Sequence, residues 1–303
     1  FFAISESSDF TFSPRFYDNS KNLYQGEYRK ITENSNHIFD LSIKNDNPLL
    51  LDKNSSDTHF FSKSSIKSNF DYFDNSQFNI KLQAVSDEKY LKQFNIKSPI
   101  IESQTILNSI IKFEGSNEDL EVAISTEVYE DLSKKNNNDR HEFILPNYNL
   151  TKKLNLDLDG QLEFNSLGYN KLYDTNVNEK ILVNNLNYKS FDYINNYGFI
   201  SNYEVNLKNF NADSENSKSL KNKTENTLQG LIQFNSKLPM FKESENFRKT
   251  LTPIISAKFN PTTSNKDIKN DNKFVDYTNI FSINRLSSNE VLEGGESISI
   301  GNE

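Results

Sequence analysis

Three histidines, His37, His59 and His141, are the side chains best suited to binding a metal or moving a proton near neutral pH. They lie far apart, and each adjoins a strand-like segment, so no metal-ligand spacing connects them. Asp157 and Asp159 could act as paired carboxylates for acid and base work, because residues two apart on a strand share a face. As neighbours on one strand lining a polar interior, they read instead as charge on a hydrated wall. The chain has no cysteine, which removes disulfides, thiolate nucleophiles and most structural zinc sites. It has no glycine-rich phosphate loop, Gly-x-Ser-x-Gly elbow or His-Glu-x-x-His pair, and Gly294-Gly295 reads as a turn between strands. No catalytic residue, metal or cofactor is expected, and the chain is not expected to be an enzyme.

The elements that carry these residues must reconcile two opposing facts. A hydrophobic content of 35% and a mean hydropathy of -0.72 are low for a soluble core and suggest disorder. Yet 24 Phe and 14 Tyr are too many for a solvated tail, and they sit inside alternating segments. A transmembrane β-barrel satisfies both, because only every second residue must be apolar while interior and loops stay polar. A net charge of -8 and a pI near 5.2 disfavour nucleic acid as a partner, and the lysines scatter through Asn- and Ser-rich loops as solvated charge. No stretch approaches the roughly 20 apolar residues of a membrane-spanning helix. The longest apolar runs are pieces such as Pro48-Leu49-Leu50-Leu51, so a membrane would be crossed by strands. The start at Phe1 and the end at Gly301-Asn302-Glu303 lead to the expectation of a fragment of one barrel domain over residues 1–303.

Period-two alternation is the strongest pattern. Over Leu154 to Asn165, Leu154, Leu156, Leu158, Leu162 and Phe164 fall on one face, and Asn155, Asp157, Asp159, Gln161 and Glu163 on the other. Leu120, Val122, Ile124, Thr126 and Val128 oppose Glu121, Ala123, Ser125, Glu127 and Tyr129 in the same way. Phe78, Ile80 and Leu82 oppose Asn79, Lys81 and Gln83, while Phe39, Leu41 and Ile43 oppose Asp40, Ser42 and Lys44. Leu120, Val122, Ile124, Leu156, Leu158 and Leu162 are therefore expected to face lipid. Asp40, Glu121, Glu127, Asp157, Asp159 and Glu163 are expected to face a lumen, since a hydrated interior accepts carboxylates that a dry core would reject.

Connections alternate in length, as in barrels with tight periplasmic turns and long external loops. Thr32 to Asn36, Asp71 to Ser76, Gly115 to Glu118 and Asn149 to Lys152 read as short turns. Asn45 to Asp57, Ser86 to Glu102, Asp131 to Asp139 and Leu167 to Glu179 read as longer loops, with a short helix over Asp87 to Phe94. Asn211 to Asn226 and Thr262 to Lys273 are further polar loops. The total is roughly 13 to 15 antiparallel strands, part of a larger all-β transmembrane barrel. Pro14 interrupts the alternating Phe10, Phe12 and Phe16, where it removes a ladder donor. It marks either an edge position or a weakened seam where a barrel could part sideways.

Specific strings narrow the reading. Phe2-Ala3-Ile4, Asp9 to Tyr17 and Leu23 to Arg29 resemble the opening barrel strands of the lipopolysaccharide-assembly outer-membrane protein family, LptD. Leu251-Thr252-Pro253, Ile254 to Phe259, Asn279 to Leu286 and Glu293-Gly294-Gly295 resemble its mid-barrel region, and Asp87 to Leu91 and Glu142 to Pro146 fit between them. The resemblance implies about the first half of a barrel of about 26 strands in the outer membrane of a Gram-negative bacterium. The implied partners are lipopolysaccharide, membrane lipids, a plug lipoprotein of the LptE type and a periplasmic bridge protein of the LptA type. It also implies sideways lipid release near the first strand, with Phe12, Pro14 and Phe16 as gate residues. One family proline has no counterpart, because Ser5-Glu6-Ser7 stands in its neighbourhood, and the family's structural cysteines do not fall in this piece. The same alternation would suit a porin, a TonB-type receptor or, from another class, a soluble β-rich adhesin.

Overall fold

The computed structural model describes residues 1–17, 21–46, 57–134, 139–244, 247–262, 275–285 and 291–302. The apolar run at 48–51, most of the expected loop from Asn45 to Asp57, the middle of that from Asp131 to Asp139 and nearly all of that from Thr262 to Lys273 lie outside them. Alternating sequence gives strands almost throughout. They are β1 (Phe2–Ser5), β2 (Ser8–Tyr17), β3 (Lys21–Ile31), β4 (Ser35–Asp46), β5 (Asp57–Ser68) and β6 (Asn75–Val85), followed by one helical turn, α1 (Tyr90–Gln93). Next come β7 (Ile106–Ser116), β8 (Leu120–Asp131), β9 (His141–Leu154), β10 (Gly160–Tyr173), β11 (Asn178–Ser190) and the two-residue β12 (Tyr193–Ile194). The remainder are β13 (Ile200–Glu215), β14 (Glu225–Lys237), β15 (Met240–Ser244), β16 (Phe247–Leu251), β17 (Pro253–Asn260) and β18 (Gly295–Asn302). The excess over the expected number comes from the short pieces β1, β12, β15 and β16.

Hydrogen bonding follows sequence order from β1 to β11 and on through β13, β14, β17 and β18, with β12 paired to β13 off that path. Among the described residues β15 and β16 pair only with each other. The chain divides into two compact units, one of residues 1–148, 169–180 and 214–222, the other of 149–168, 181–213 and 223–303.

In the first unit, antiparallel register lines up one apolar face. Pro14 lies opposite Tyr24 and Tyr24 opposite Ile43; Gly26 lies opposite Leu41 and Leu41 opposite Phe60. Further along, Phe78 faces Phe113 and Phe113 faces Ile124. Cross-strand aromatic pairs such as Phe78 and Phe113, with ring centroids 5.0 Å apart, stabilise this face by about 0.5–1.5 kcal/mol beyond area burial. The turn between β5 and β6 adds Phe70 and Phe73, both edge-on to Phe113. Gly115 makes room for that packing, since a Cβ there would lie 3.0 Å from the Phe73 ring. The tight turn between β7 and β8 is an Asx turn, with Asn117 Oδ1 accepting from the backbone of Asp119 and Leu120.

The second unit repeats the division. Tyr203 lies opposite Phe234, Val205 opposite Ile232, Ile232 opposite Phe259, and Ile255 opposite Ile300. Gln229, Gln233, Ser256, Lys258, Asn260 and Ser299 point the other way and are buried.

Four expected boundaries are corrected, the simplest being the polar loop over Asn211 to Asn226, which shrinks to residues 216–224 between β13 and β14. Leu154 to Asn165 is not one strand: β9 ends at Leu154, β10 starts at Gly160, and Leu156, Asp157, Leu158 and Asp159 form the turn between them. Successive bonds from Leu156 N–H to Leu154 O, Leu158 N–H to Leu156 O and Gly160 N–H to Leu158 O reverse the chain through three-residue turns. Leu and Asp still alternate there, so the pattern imitates a strand while Asp159-Gly160 supplies the turn chemistry. Gly160 is required sterically, because a Cβ would lie 2.5 Å from the Lys189 carbonyl oxygen. The turn expected at Asn149 to Lys152 is instead strand within β9. The long loop expected over Leu167 to Glu179 shrinks to residues 174–177, closed by Tyr173 N–H to Val177 O and by Asn176 at a φ of 57°.

Candidate functional site

The chain's polar chemistry concentrates on the polar face of each unit, where a long connection folds back over the strands. In the first unit the β6–β7 connection, residues 86–105, brings Tyr90, Leu91, Phe94, Ile96 and Ile100 onto Leu23, Phe61, Leu107 and Leu132. Burying each such side chain contributes about 1.5–3 kcal/mol, enough to hold a loop that has only one helical turn.

Polar groups fix where that apolar cluster docks. Gln25 Nε2 donates to both oxygens of Asp40 at 3.0 and 3.1 Å and to the Lys97 carbonyl at 2.8 Å. Arg15 donates to Gln25 Oε1 at 3.1 Å and to the Phe94 carbonyl at 3.0 Å, so strand and loop share one set of bonds. Gln83 donates to the Ile100 carbonyl at 3.1 Å and accepts from Asn108 N–H at 2.7 Å. His59 Nδ1 lies 2.5 Å from Ser42 Oγ, and Ser42 Oγ lies 2.5 Å from the Tyr90 hydroxyl. His59 Nε2 is 3.2 Å from Asp40 Oδ1, an ion-pair distance without hydrogen-bond geometry. Burial pushes the Tyr90 hydroxyl up from its usual pKa against the opposing bond from Ser42, which keeps it a neutral partner.

Ser42, His59 and Asp40 therefore form a serine-histidine-carboxylate string, the residue types of a nucleophilic triad. All three are buried, and the serine oxygen meets the Tyr90 hydroxyl rather than a cavity. The string ties β4 and β5 to Tyr90 of the loop, and we call it a latch.

The second unit carries an analogous insertion in the β17–β18 connection. Gln233 donates to the Phe281 carbonyl at 2.8 Å, Asn260 donates to the Glu293 carbonyl at 2.8 Å, and Leu292 N–H donates to Gln229 Oε1 at 2.6 Å. Lys258 bonds the Ser282 carbonyl, and Arg285 clasps the Glu293 carboxylate with Nε at 2.7 Å and with Nη2. Burial raises the Glu293 carboxyl, but the bond and charge of Arg285 outweigh it and hold the group below its ordinary value. A cavity of about 580 Å3 in this unit is lined by Leu154, Leu162, Glu163, Lys189, Glu204 and Ile283, among others.

The expected residues distribute unevenly. Asp40 sits at the centre of the latch. Glu127 accepts from Ser125, Tyr129 and Asn147 at 2.7, 2.8 and 3.1 Å, and Glu163 accepts from Asn165 at 2.7 Å. Glu121 is exposed near the β7–β8 turn, opposite Ser116. Asp157 and Asp159 are exposed turn residues rather than wall charges. Val122 and Ile124 lie on the apolar face opposite Gly115 and Phe113, with Leu120 at its turn end, whereas Leu162 is half-buried in β10. Leu156 and Leu158 are exposed in the turn and occupy no strand face. Phe12, Pro14 and Phe16 are exposed on β2, with the Phe12 and Phe16 rings 6.2 and 6.4 Å from Tyr24.

Sequence reading gave no role to Gln25, Gln229, Gln233 and Arg285, and it placed Ser42 and Gln83 on polar faces and singled out His59 without joining any of them to a loop. The available signal was glutamine recurring at polar-face positions of strands, where its amide can span to a loop carbonyl.

A family model described as LptD, LPS transport system D, matches residues 62–303. The chain belongs to the LptD family. That family transports lipopolysaccharide and assembles it at the outer membrane, which displaces the porin, receptor and adhesin readings. A search of curated proteins returns no match. In this LptD-family chain the match begins within β5, so Phe12, Pro14, Phe16 and the latch residues Arg15, Gln25, Asp40, Ser42 and His59 precede it.

Proposed function

We propose that this chain is the opening part of an outer-membrane barrel that passes lipopolysaccharide from a hydrated interior to the outer leaflet of a Gram-negative envelope. The observation that carries this reading is the register-aligned division of the strands. Leu41, Phe60, Ile111 and Ile124 in one unit and Leu207, Ile232, Phe259 and Ile300 in the other are exposed on the apolar face, while Asp40, Gln83, Gln233 and Lys258 are buried on the opposite face. Large exposed side chains on strands of 8 to 16 residues suit lipid, and a wall of amides, hydroxyls and charges suits a phosphorylated sugar head.

In this reading Asp40, Glu127 and Glu163 face the lumen and Val122, Ile124 and Leu162 face lipid. Phe12, Pro14 and Phe16 belong to a lateral gate. Pro14 supports the gate because it cannot donate to a ladder, and its neighbours present rings to lipid rather than to a protein core. No bond is made or broken, and the driving energy comes from the periplasmic bridge of the LptA type. A plug lipoprotein of the LptE type occupies the lumen. Cysteines that tether the first barrel strand to the last in the full-length protein are expected to stop the appearance of new lipopolysaccharide at the cell surface. Reduction should restore it, and normal export in the tethered form would overturn the gate.

A further inference from the structure

The hairpin of β15 and β16 stands apart from the main sheet. All ten of its strand residues are exposed, among them Met240, Phe241, Phe247 and Leu251. A lone two-stranded hairpin is marginal in water, and this one has no core of its own.

Its register sets two like charges against each other. Lys242 lies directly opposite Lys249, with the Met240 and Leu251 pair on one side and the Ser244 and Phe247 pair on the other, all on one face. Like charges in direct register destabilise a hairpin unless an anion joins them. On the other face Arg248 lies 4.8 Å over the Phe241 ring and 3.8 Å from Glu243, so that acid is already engaged. Glu245, the second acid of the segment, lies outside the described residues. Lys249 also lies over an aromatic ring, 5.2 Å from the Phe247 centroid. Cations above aromatic rings beside aliphatic side chains form a surface that is apolar in body and basic at the tip, as at a membrane boundary.

Position supplies the second argument. The hairpin joins β14 to β17, whose apolar face carries Ile232, Phe234, Ile255 and Phe259. At the same strand end, the β11–β13 connection exposes Phe191, Tyr193, Ile194 and Tyr197, and a Cβ on its Gly198 would lie 3.6 Å from Leu238. The hairpin thus leaves the sheet at the strand end where these rings are exposed.

We infer that the paired strands Met240–Ser244 and Phe247–Leu251 dock on the membrane surface and lie on anionic phospholipid headgroups, with a lipid phosphate seated between Lys242 and Lys249. This rests on the proposed reading of the sheet as bilayer-spanning. The test uses the full chain in bilayers of phosphatidylcholine with or without phosphatidylglycerol, carrying a nitroxide at Phe247→Cys. With phosphatidylglycerol, collisions with oxygen should exceed those with a water-soluble nickel reagent. Lys242→Glu with Lys249→Glu should reverse that preference, each lost lysine weakening lipid association about fivefold. A label equally open to the nickel reagent in both bilayers, or shielded from both reagents by a protein partner, would overturn the proposal. A second label at Ile232→Cys separates the failures: water exposure there refutes the bilayer-spanning reading itself, whereas lipid exposure there confines the failure to the hairpin.

Discussion

The two inserted connections solve one problem with different chemistry. Residues 86–105 dock through an apolar cluster, with polar bonds that set its position. The described parts of the β17–β18 connection bury one large apolar side chain, Leu292, and rely on Gln229, Gln233, Lys258, Arg285 and Glu293. Non-directional burial scales with area, whereas a bonded ion pair gives back much of its Coulomb energy in desolvation. The first loop should therefore be the more firmly held, and the second should answer more readily to pH and salt.

The largest effect is expected at Asp40, which has no exposed surface and faces both Gln25 and His59. Asp40→Ala removes the carboxylate that accepts from Gln25 and faces His59, and should lower stability by about 3 kcal/mol. Asp40→Asn keeps one acceptor oxygen and should recover part of that loss. Urea unfolding of the reconstituted protein, read at a fluorophore on the 86–105 loop, measures both. Equal midpoints for Asp40→Ala and the parent would mean that the latch does not hold the loop.

A comparable effect is expected from Leu91→Ala, which opens a cavity in the apolar cluster and should cost about 2–4 kcal/mol. The comparison sharpens if Leu292→Ala costs less, because that side chain stands outside the apolar cluster that holds Leu91. Limited proteolysis of each loop, followed by mass spectrometry, would rank the two. A reversed order would invert the account of which loop is anchored by burial.

Much of this molecule was legible in its alternating sequence, because period two assigns a face without any knowledge of partners. Val122 opposite Glu121, and Ile80 opposite Lys81, follow from the pleat alone. The run from Leu154 to Gly160 misled, because three-residue turns can carry the same Leu and Asp alternation that a strand does. The latch was hidden for another reason. Gln25 and Lys97, or Ser42 and Tyr90, are joined by 72 and 48 residues of separation, and a local pattern holds no record of which loop returns to which wall. Pro14 and the two phenylalanines beside it were legible as an irregularity, but a missing donor does not by itself say what parts from what.

The smallest expected effect concerns the charge pair of the second connection. Arg285 holds the Glu293 carboxyl below its ordinary value of 4.5 despite the burial that opposes it. A depressed carboxyl contributes stability that is fully present above the unfolded value and is lost as pH falls through the folded one. Docking of 275–285 should therefore weaken only below about pH 4.5, by about 1 kcal/mol given the pair's partial exposure. Glu293→Gln should show that loss at neutral pH and abolish the acid step, while the 86–105 loop keeps its protection. Hydrogen exchange on both loops between pH 4 and pH 7, corrected for the intrinsic rate, reads the difference. An acid step that persists in Glu293→Gln would assign the response to another carboxylate and remove the ion pair as the anchor of the second loop.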